Sequence, residues 1–474
     1  MLIGQLLVAL GLTSQAEIES ALDEQRRVGR RLGEILVARG QVASEDLARV
    51  LTSLPTPPQT LDELGIDRNI IWETFLKAAA TSLATNTSSL ARALCVSNRL
   101  ANLMIDQARD QQLIEMKVGA SMTDLHFILS GKGRAAADTA FMNNSYVGPL
   151  PVSLEAYAAR VNQQSVRNEI VSPASVSEMF ADMVTSEDRL REIGAAANSS
   201  RSALLYGPAG NGKTWIAQRM GKLFRSFIFV PYCFEVAGQI IRVYDPSVHM
   251  PIHPPEDGEE NEQPASSIIA EDYDRRWMPC RRPFVVTGGE LTLEMLDLSF
   301  SMIAKFYEAP LQVKANNGVF LIDDFGRQLV EPRALLNRWI VPMDRRVDYL
   351  KLHTGKSFLL PFDALLLFSS NLVPEDIMDP AFLRRIPHKI FVGGPDEVQF
   401  RRIFRAALTR AGESVDEDLI EGTLAGLKQR RVELASFQPA FIVDQIRDLR
   451  RYLGNEPIDK RTLIEFALRN MTSK

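Results

Sequence analysis

Eight residues near the middle of the chain have the types and spacing to grip a polyphosphate. Residues 207–214 read Gly207-Pro208-Ala209-Gly210-Asn211-Gly212-Lys213-Thr214, the pattern G-x-x-x-x-G-K-[ST]. Glycines at these places let main-chain N–H groups turn inward onto phosphate oxygens, and a helix starting there adds its positive end. Ala203-Leu204-Leu205-Tyr206 ahead of the loop is short and apolar, as a buried parallel strand is, and Trp215 to Met220 continues as a helix. Lys213 is expected to reach the β- and γ-phosphates, and Thr214 to place its hydroxyl on Mg2+. Residues 207–214 with Trp215 are therefore the candidate binding set for ATP.

A second group of residues could do the chemistry. Val319-Phe-Leu-Ile322 is a short apolar run that ends in Asp323-Asp324. Carboxylates at the C-terminal end of a buried strand beside a phosphate loop are placed to hold Mg2+ and orient water. Asp323 is expected on the metal with Thr214, and Asp324 in the catalytic role. The next apolar run, Ala364-Leu-Leu-Leu-Phe368, ends in Ser-Ser-Asn371.

With Asn371 the chain resembles the AAA+ ATPases, in which a polar residue there, often Asn, contacts the γ-phosphate and the lytic water. Asp379-Pro-Ala-Phe-Leu-Arg384-Arg385 resembles the AAA+ helix that ends in an arginine finger. Such a finger brings a planar cation to the neighbouring subunit's nucleotide, so the resemblance implies a homo-oligomeric ring. Two positions depart from the pattern. The acidic pair of the family is Asp-Glu, whereas Asp324 is one methylene shorter. The lid arginine of the family is missing from Phe437-Gln-Pro-Ala440, and Arg430, Arg431 and Arg447 are the nearby substitutes. Within the family, Gly289-Glu-Leu-Thr-Leu-Glu-Met-Leu-Asp297, Lys314-Ala-Asn-Asn-Gly318 and Ile322-Asp-Asp-Phe-Gly-Arg-Gln328 resemble bacterial sequences loosely described as ATPases with chaperone activity. No aromatic-apolar-Gly loop follows the expected second strand, Phe227-Ile-Phe-Val230, so substrate threading has no support.

These residues need elements to position them. Residues 175–394 alternate apolar strands and helices, as a parallel α/β sheet does, and residues 395–474 read as a helical lid. A long insertion from Tyr244 to Arg276 carries Glu256, Asp257, Glu259, Glu260 and Glu262, a run that reads as a solvated loop. Residues 147–174 are expected to be a connector and residues 56–66 a stiff proline linker. Residues 67–146 read as three helices and a hairpin, a winged-helix-like outline. Its would-be recognition helix sets Arg99 and Arg109 against Asp106 and Asp110, without the basic footprint of a DNA reader.

The first 55 residues repeat themselves at a spacing of 29: Ile3, Gly4, Leu7, Gly11, Ile18 and Leu22 recur as Leu32, Gly33, Leu36, Gly40, Leu47 and Leu51. Each copy is a helix, a glycine stop and a second helix, with Ser14 and Glu17 forming a capping box. The repeat resembles the N-terminal module of type IV pilus and type II secretion ATPases, some of which bind cyclic di-GMP, here at residues 1–54. Leu2 and Leu54 replace an arginine and a glutamine of that motif, removing a charged fork and an amide that a cyclic dinucleotide would use.

Of the 474 residues, 46% are hydrophobic and 24% charged, with a net charge of −5. This balance is ordinary for a globular protein and gives no general attraction to nucleic acid or anionic membrane. Cys95, Cys233 and Cys280 suggest neither a disulfide framework nor a metal site. The apolar start lacks a basic leader, and the Phe358–Phe368 stretch, broken by Pro361 and Asp363, is too short to cross a bilayer. A cytoplasmic location without membrane insertion is expected.

The expected fold is therefore multidomain α/β: a P-loop AAA+ parallel sheet with a helical lid, preceded by an all-α repeat module and a winged-helix-like α+β domain. The leading functional expectation is an ATP hydrolase that remodels or regulates a protein partner through N-terminal docking modules. The alternatives are an ATP-dependent DNA-associated switch, and a secretion or pilus motor or regulator responding to cyclic di-GMP.

Overall fold

The computed structural model describes residues 2–117, 124–252, 273–454, 456 and 458–471. At its centre lies a five-stranded sheet built from β1 (Ala203–Tyr206), β2 (Phe284–Thr287), β3 (Val319–Ile322), β4 (Leu365–Ser370) and β5 (His388–Phe391). All strands are parallel and their order is β5-β1-β4-β3-β2. The register sets Ile322 beside Phe368 and Thr287, and Ser370 beside Tyr206. The last residues of four strands thus share one edge.

Alternate residues of the central strands feed two different cores. Leu205, Leu321 and Leu367 pack with Ile193, Ile216, Ala217 and Met220 on one face. Leu204, Phe320, Leu366 and Phe368 pack with Leu335, Leu336 and Trp339 on the other. Burial on both faces is why these strands read as unbroken apolar runs. Helix α1 (Lys213–Lys222) covers the first face and α2 (Pro332–Arg345) the second.

Two strand assignments need correction. Phe227–Pro231 is a strand, but it pairs antiparallel with Trp277–Arg281 in a separate two-stranded sheet. In the central sheet the strand beside β3, on the side away from β4, is β2. An apolar run indicates burial without naming the partner strand, and two candidate runs flank the Tyr244–Arg276 insertion. Strand β5 was not expected because only Ile390 in it is buried, so its pattern is that of a polar edge.

A second five-stranded sheet is assembled from distant pieces: Val152–Ser153, Cys233–Val236, Gln239–Arg242, Ser299–Phe300 and Tyr307–Glu308. Residues 147–174 are accordingly more than a connector, since they supply a strand and the helix Leu154–Gln163. The proline segment is likewise fastened down. Pro55 and Pro58 are buried, Arg160 Nη1 donates to Ser53 O at 2.6 Å, and Asp274 N donates to Pro55 O at 2.8 Å.

Residues 2–53 form four helices, Leu2–Ala9, Gln15–Val28, Leu32–Ala38 and Ser44–Ser53, with both sides of the Ser14–Glu17 capping box made. Helices Arg68–Ala80, Thr87–Leu94 and Asn98–Asp110 precede a short antiparallel pair, Ile114–Met116 with Phe127–Leu129. A further helix, Gly131–Asn143, follows. Four helices close the chain, α3 (Glu397–Arg410), α4 (Glu417–Gln429), α5 (Gln438–Leu453) and α6 (Lys460–Met471), around an apolar core of their own. Cys233 and Cys280 are buried and Cys95 half-buried, all three as free thiols. Among the described residues no helix is long and apolar enough to cross a membrane. The acidic run Glu256–Glu262 and the hairpin turn Gly119–Thr123 lie outside the described residues.

Candidate nucleotide site

The glycine loop runs from the end of β1 into α1, and its conformation excludes side chains. Gly207 has φ +136°, and a Cβ there would lie 2.5 Å from Val392 O. Gly210 has φ +78°, and its Cβ would run into the Phe437 ring. Glycine alone meets both demands, backbone angle and space.

Lys213 opens α1 and is buried, 6% exposed. Its Nζ donates to Gly207 O at 2.9 Å, Pro208 O at 3.0 Å and Asn371 Oδ1 at 2.6 Å. Burial holds its pKa below the usual lysine value, opposed by the nearby charges of Asp324 and Asp323. A desolvated ammonium whose partners are neutral oxygens has Coulomb energy to gain from an incoming polyphosphate.

Around this lysine the expected acids converge. Asp323 follows β3, and its Oδ2 accepts from Thr214 Oγ1 at 2.7 Å. Asn371 follows β4, and its Nδ2 donates to Asp324 Oδ1 at 2.9 Å. Asp324 N donates to Asp323 Oδ1 at 3.0 Å. Lys213, Thr214, Asp323, Asp324 and Asn371 therefore form one hydrogen-bonded group at the C-terminal edge of three adjacent strands, where open α/β sheets bind ligands. The donors around Asp323 suit Mg2+: a carboxylate and a hydroxyl in mutual contact beside the phosphate loop are the hard oxygen ligands that this ion takes along with phosphates and water.

The lid closes on the loop from above. Phe437 N donates to Gly210 O at 3.0 Å, and Ser436 N to Asn211 Oδ1 at 3.0 Å. Between them lies a cavity of about 320 Å³, whose walls include Pro208, Ala209, Asn211, Leu434, Phe437 and Met471. Phe437, at the start of α5, stands on the loop against Gly210. Arg430 is tied to Glu465 at 2.5 Å, while Arg431 and Arg447 are exposed. Trp215 belongs to α1, and its side chain packs on Phe180 and under Arg219.

The two candidate finger arginines differ. Arg385 is held by Asp344, with Nε 3.0 and 3.1 Å from its two carboxylate oxygens, and donates to Ala381 O. Arg384 is exposed and has no side-chain partner among the described residues. Neither touches the Lys213–Asp324 group. In the helix Asn98–Asp110, Arg109 pairs with Asp106 at 3.2 Å, and Arg99 reaches Gln59 at 3.5 Å.

The roles of three neighbours of the site were missed in the sequence. Phe437 was noted only as the place where a lid arginine is lacking, and its packing on Gly210 was not expected. Ser370 fixes the acidic turn by donating from Oγ to Phe325 O at 2.7 Å. Gln328 holds the same turn through its amide, and only its position shortly after the acidic pair could have drawn notice.

Residues 396–470 match the family model described as a domain of unknown function (DUF8689). No curated protein matches the chain. Among solved structures the chain is similar to NtrX from Brucella abortus, at 13% identity and TM-score 0.37, covering 69% of this chain and 58% of that one. It is also similar to NtrX in complex with ATP, at 13% identity and TM-score 0.37, covering 70% and 58%. A point mutant of RuvB from Thermotoga maritima is similar at 10% identity and TM-score 0.35, covering 61% and 71%. The chain thus spans less than two thirds of the length of NtrX.

Proposed function

We propose that this chain is an ATP hydrolase of the AAA+ type that couples nucleotide turnover to remodelling or regulation of a protein partner. The observation carrying this reading is the convergence of Lys213 and Thr214 with Asp323, Asp324 and Asn371 at the ends of β1, β3 and β4. The loop N–H groups and Lys213 bind the β- and γ-phosphates. Thr214 and Asp323 would hold Mg2+, which when bound neutralises charge on the transferring phosphoryl group. Asp324 accepts the proton of the attacking water, and Asn371 orients that water against the γ-phosphate. The products are ADP and phosphate. Arg384, without a side-chain partner among the described residues where Arg385 is paired, is the better candidate to complete a neighbouring subunit's site in a homo-oligomer.

The lid's contact with the loop supports the coupling part of the reading, because a ligand in the loop acts directly on Phe437 and Ser436. The DNA-associated alternative has less support, since Arg109 is already neutralised by Asp106. Cyclic di-GMP binding by the repeat stays a proposal resting on its motif, tested by titrating the full chain with the dinucleotide. The hydrolase reading is tested by measuring phosphate release from Mg-ATP by the full chain and by Lys213→Ala. Turnover lost with the lysine supports it, and equal turnover by both proteins contradicts it.

A further inference from the structure

One side chain ties the acidic turn to the end of the neighbouring strand. Gln328 Nε2 donates to the main-chain oxygens of Asp323 at 3.0 Å, Asp324 at 3.3 Å and Gly288 at 3.4 Å. Its Oε1 accepts from Gly326 N at 2.8 Å. These surroundings fix the orientation of the amide, because the opposite one would set an oxygen against three carbonyls and an NH2 against an N–H.

The residue so enclosed is unusual. Asp324 has φ 49°, the left-handed region that side-chain-bearing residues seldom adopt and keep only where the surroundings enforce it. The carbonyl of Asp323 belongs to the peptide before Cα324, and that of Asp324 to the peptide after it. Gln328 Nε2 binds both. Arg327 N reaches only the Asp324 oxygen, at 3.0 Å, Phe325 N, bound to Ser369 O at 2.7 Å, restrains only the following peptide, and Asp324 N, bound to Asp323 Oδ1 at 3.0 Å, only the preceding one. Fixing both peptide planes fixes the direction of the Cα–Cβ bond, and with it the carboxylate that meets Asn371. The third bond, to Gly288, registers this turn against the end of β2.

We propose that Gln328 is a positioning residue for ATP hydrolysis, holding the peptides on both sides of Asp324 so that its carboxylate faces the attacking water. This rests on the hydrolase reading above. The Gln328 amide binds only main-chain atoms, those of the turn and of Gly288, so its removal is expected to affect turnover and to leave affinity alone.

The test compares the full-length protein with Gln328→Glu and Gln328→Met. Glutamate keeps the length but sets acceptors against three carbonyls, and methionine removes the hydrogen bonds. For both variants the expected result is a Kd for Mg-ATP within about threefold of the parent and a kcat at least tenfold lower. The Gln328→Glu deficit should shrink as pH falls, because a protonated carboxyl again offers one donor, whereas the Gln328→Met deficit should not follow pH. A side chain that merely filled the turn would weaken affinity and turnover together, or change neither. Parental kcat in Gln328→Met overturns the proposal, as does a Gln328→Glu deficit that is the same at every pH. Either variant decides alone if the other does not fold. A parental protein without turnover would overturn the hydrolase reading and this proposal with it, whereas turnover by the parent and Gln328→Met alike overturns the positioning role only.

Discussion

Lys213 Nζ stands 2.6 Å from Asn371 Oδ1, while the Nδ2 of the same amide donates to Asp324 at 2.9 Å. One asparagine therefore bridges the group that would hold the phosphates and the acid that would take the proton. An Asn371→Ala variant is expected to retain Mg-ATP affinity within a few-fold and to lose most turnover. An Asn371→Asp variant adds a negative charge beside the phosphate site and should weaken affinity at least tenfold, about 1.4 kcal/mol. Fluorescent-nucleotide titration of the two variants separates orientation from charge.

Replacing Lys213 with alanine removes a buried cation that has only neutral oxygens as hydrogen-bond partners. Losing one member of a desolvated charge pair costs about 2–5 kcal/mol, so ATP affinity should fall by roughly 30-fold or more. The ligand-free protein should lose little stability, because burying that ammonium is itself unfavourable. Calorimetric titration with Mg-ATP and a melting curve without nucleotide check the two halves.

Arg384 and Arg385 are expected to behave differently despite being adjacent. Arg384→Ala should lower turnover of the assembled protein by a factor on the order of 10³–10⁵, the range for arginine fingers, with nucleotide affinity held. Arg385→Ala breaks a partly exposed pair with Asp344 and should cost at most about 1 kcal/mol of stability. Turnover assays, together with the oligomeric state in solution, distinguish them.

Lys77 offers a pH test of the N-terminal part. It is fully buried, its Nζ donates to Asn144 Oδ1 at 2.6 Å, and burial, opposed by Glu73, brings its pKa down to about 8. The unfolded chain therefore binds more protons than the folded one between pH 8 and 10.5, so stability rises with pH across that window. The gain is on the order of 3 kcal/mol. The denaturant midpoint of the transition that unfolds helix Arg68–Ala80 should increase from about pH 8 to about pH 10, and Lys77→Met should flatten the increase.

The residues that gather at the site were more legible in the sequence than the architecture around them. Asp323, Asp324 and Asn371 could be read because they follow strands buried on both faces, which announce themselves as apolar runs, and Lys213 and Thr214 because their spacing from the loop glycines is a motif in itself. Strand β5 could not, because it is an edge in which only Ile390 is buried, and β2 could not, because Phe284-Val-Val-Thr287 is one of two apolar runs around the Tyr244–Arg276 insertion. The Phe227 run was assigned to the wrong sheet because apolar character carries no information about the partner. The second five-stranded sheet was invisible for a related reason: three of its strands are two residues long, and two of its pairings, Val152–Ser153 with Cys233–Val236 and Tyr307–Glu308 with Gln239–Arg242, join segments far apart in the chain. Phe437 against Gly210 is a tertiary contact between lid and loop, which spacing within either segment cannot indicate.

The central claim is that Asp324 takes the proton from water while Lys213 and the loop hold the nucleotide. Asp324→Asn keeps the size of the side chain and an oxygen that can accept from Asn371, but removes the base. The decisive measurement is single-turnover hydrolysis of Mg-ATP by this variant, made beside its equilibrium affinity for Mg-ATP. Affinity within a few-fold of the parent, with hydrolysis slowed by roughly a hundredfold or more, is the predicted result. Hydrolysis at the parental rate with ATP bound would contradict the account.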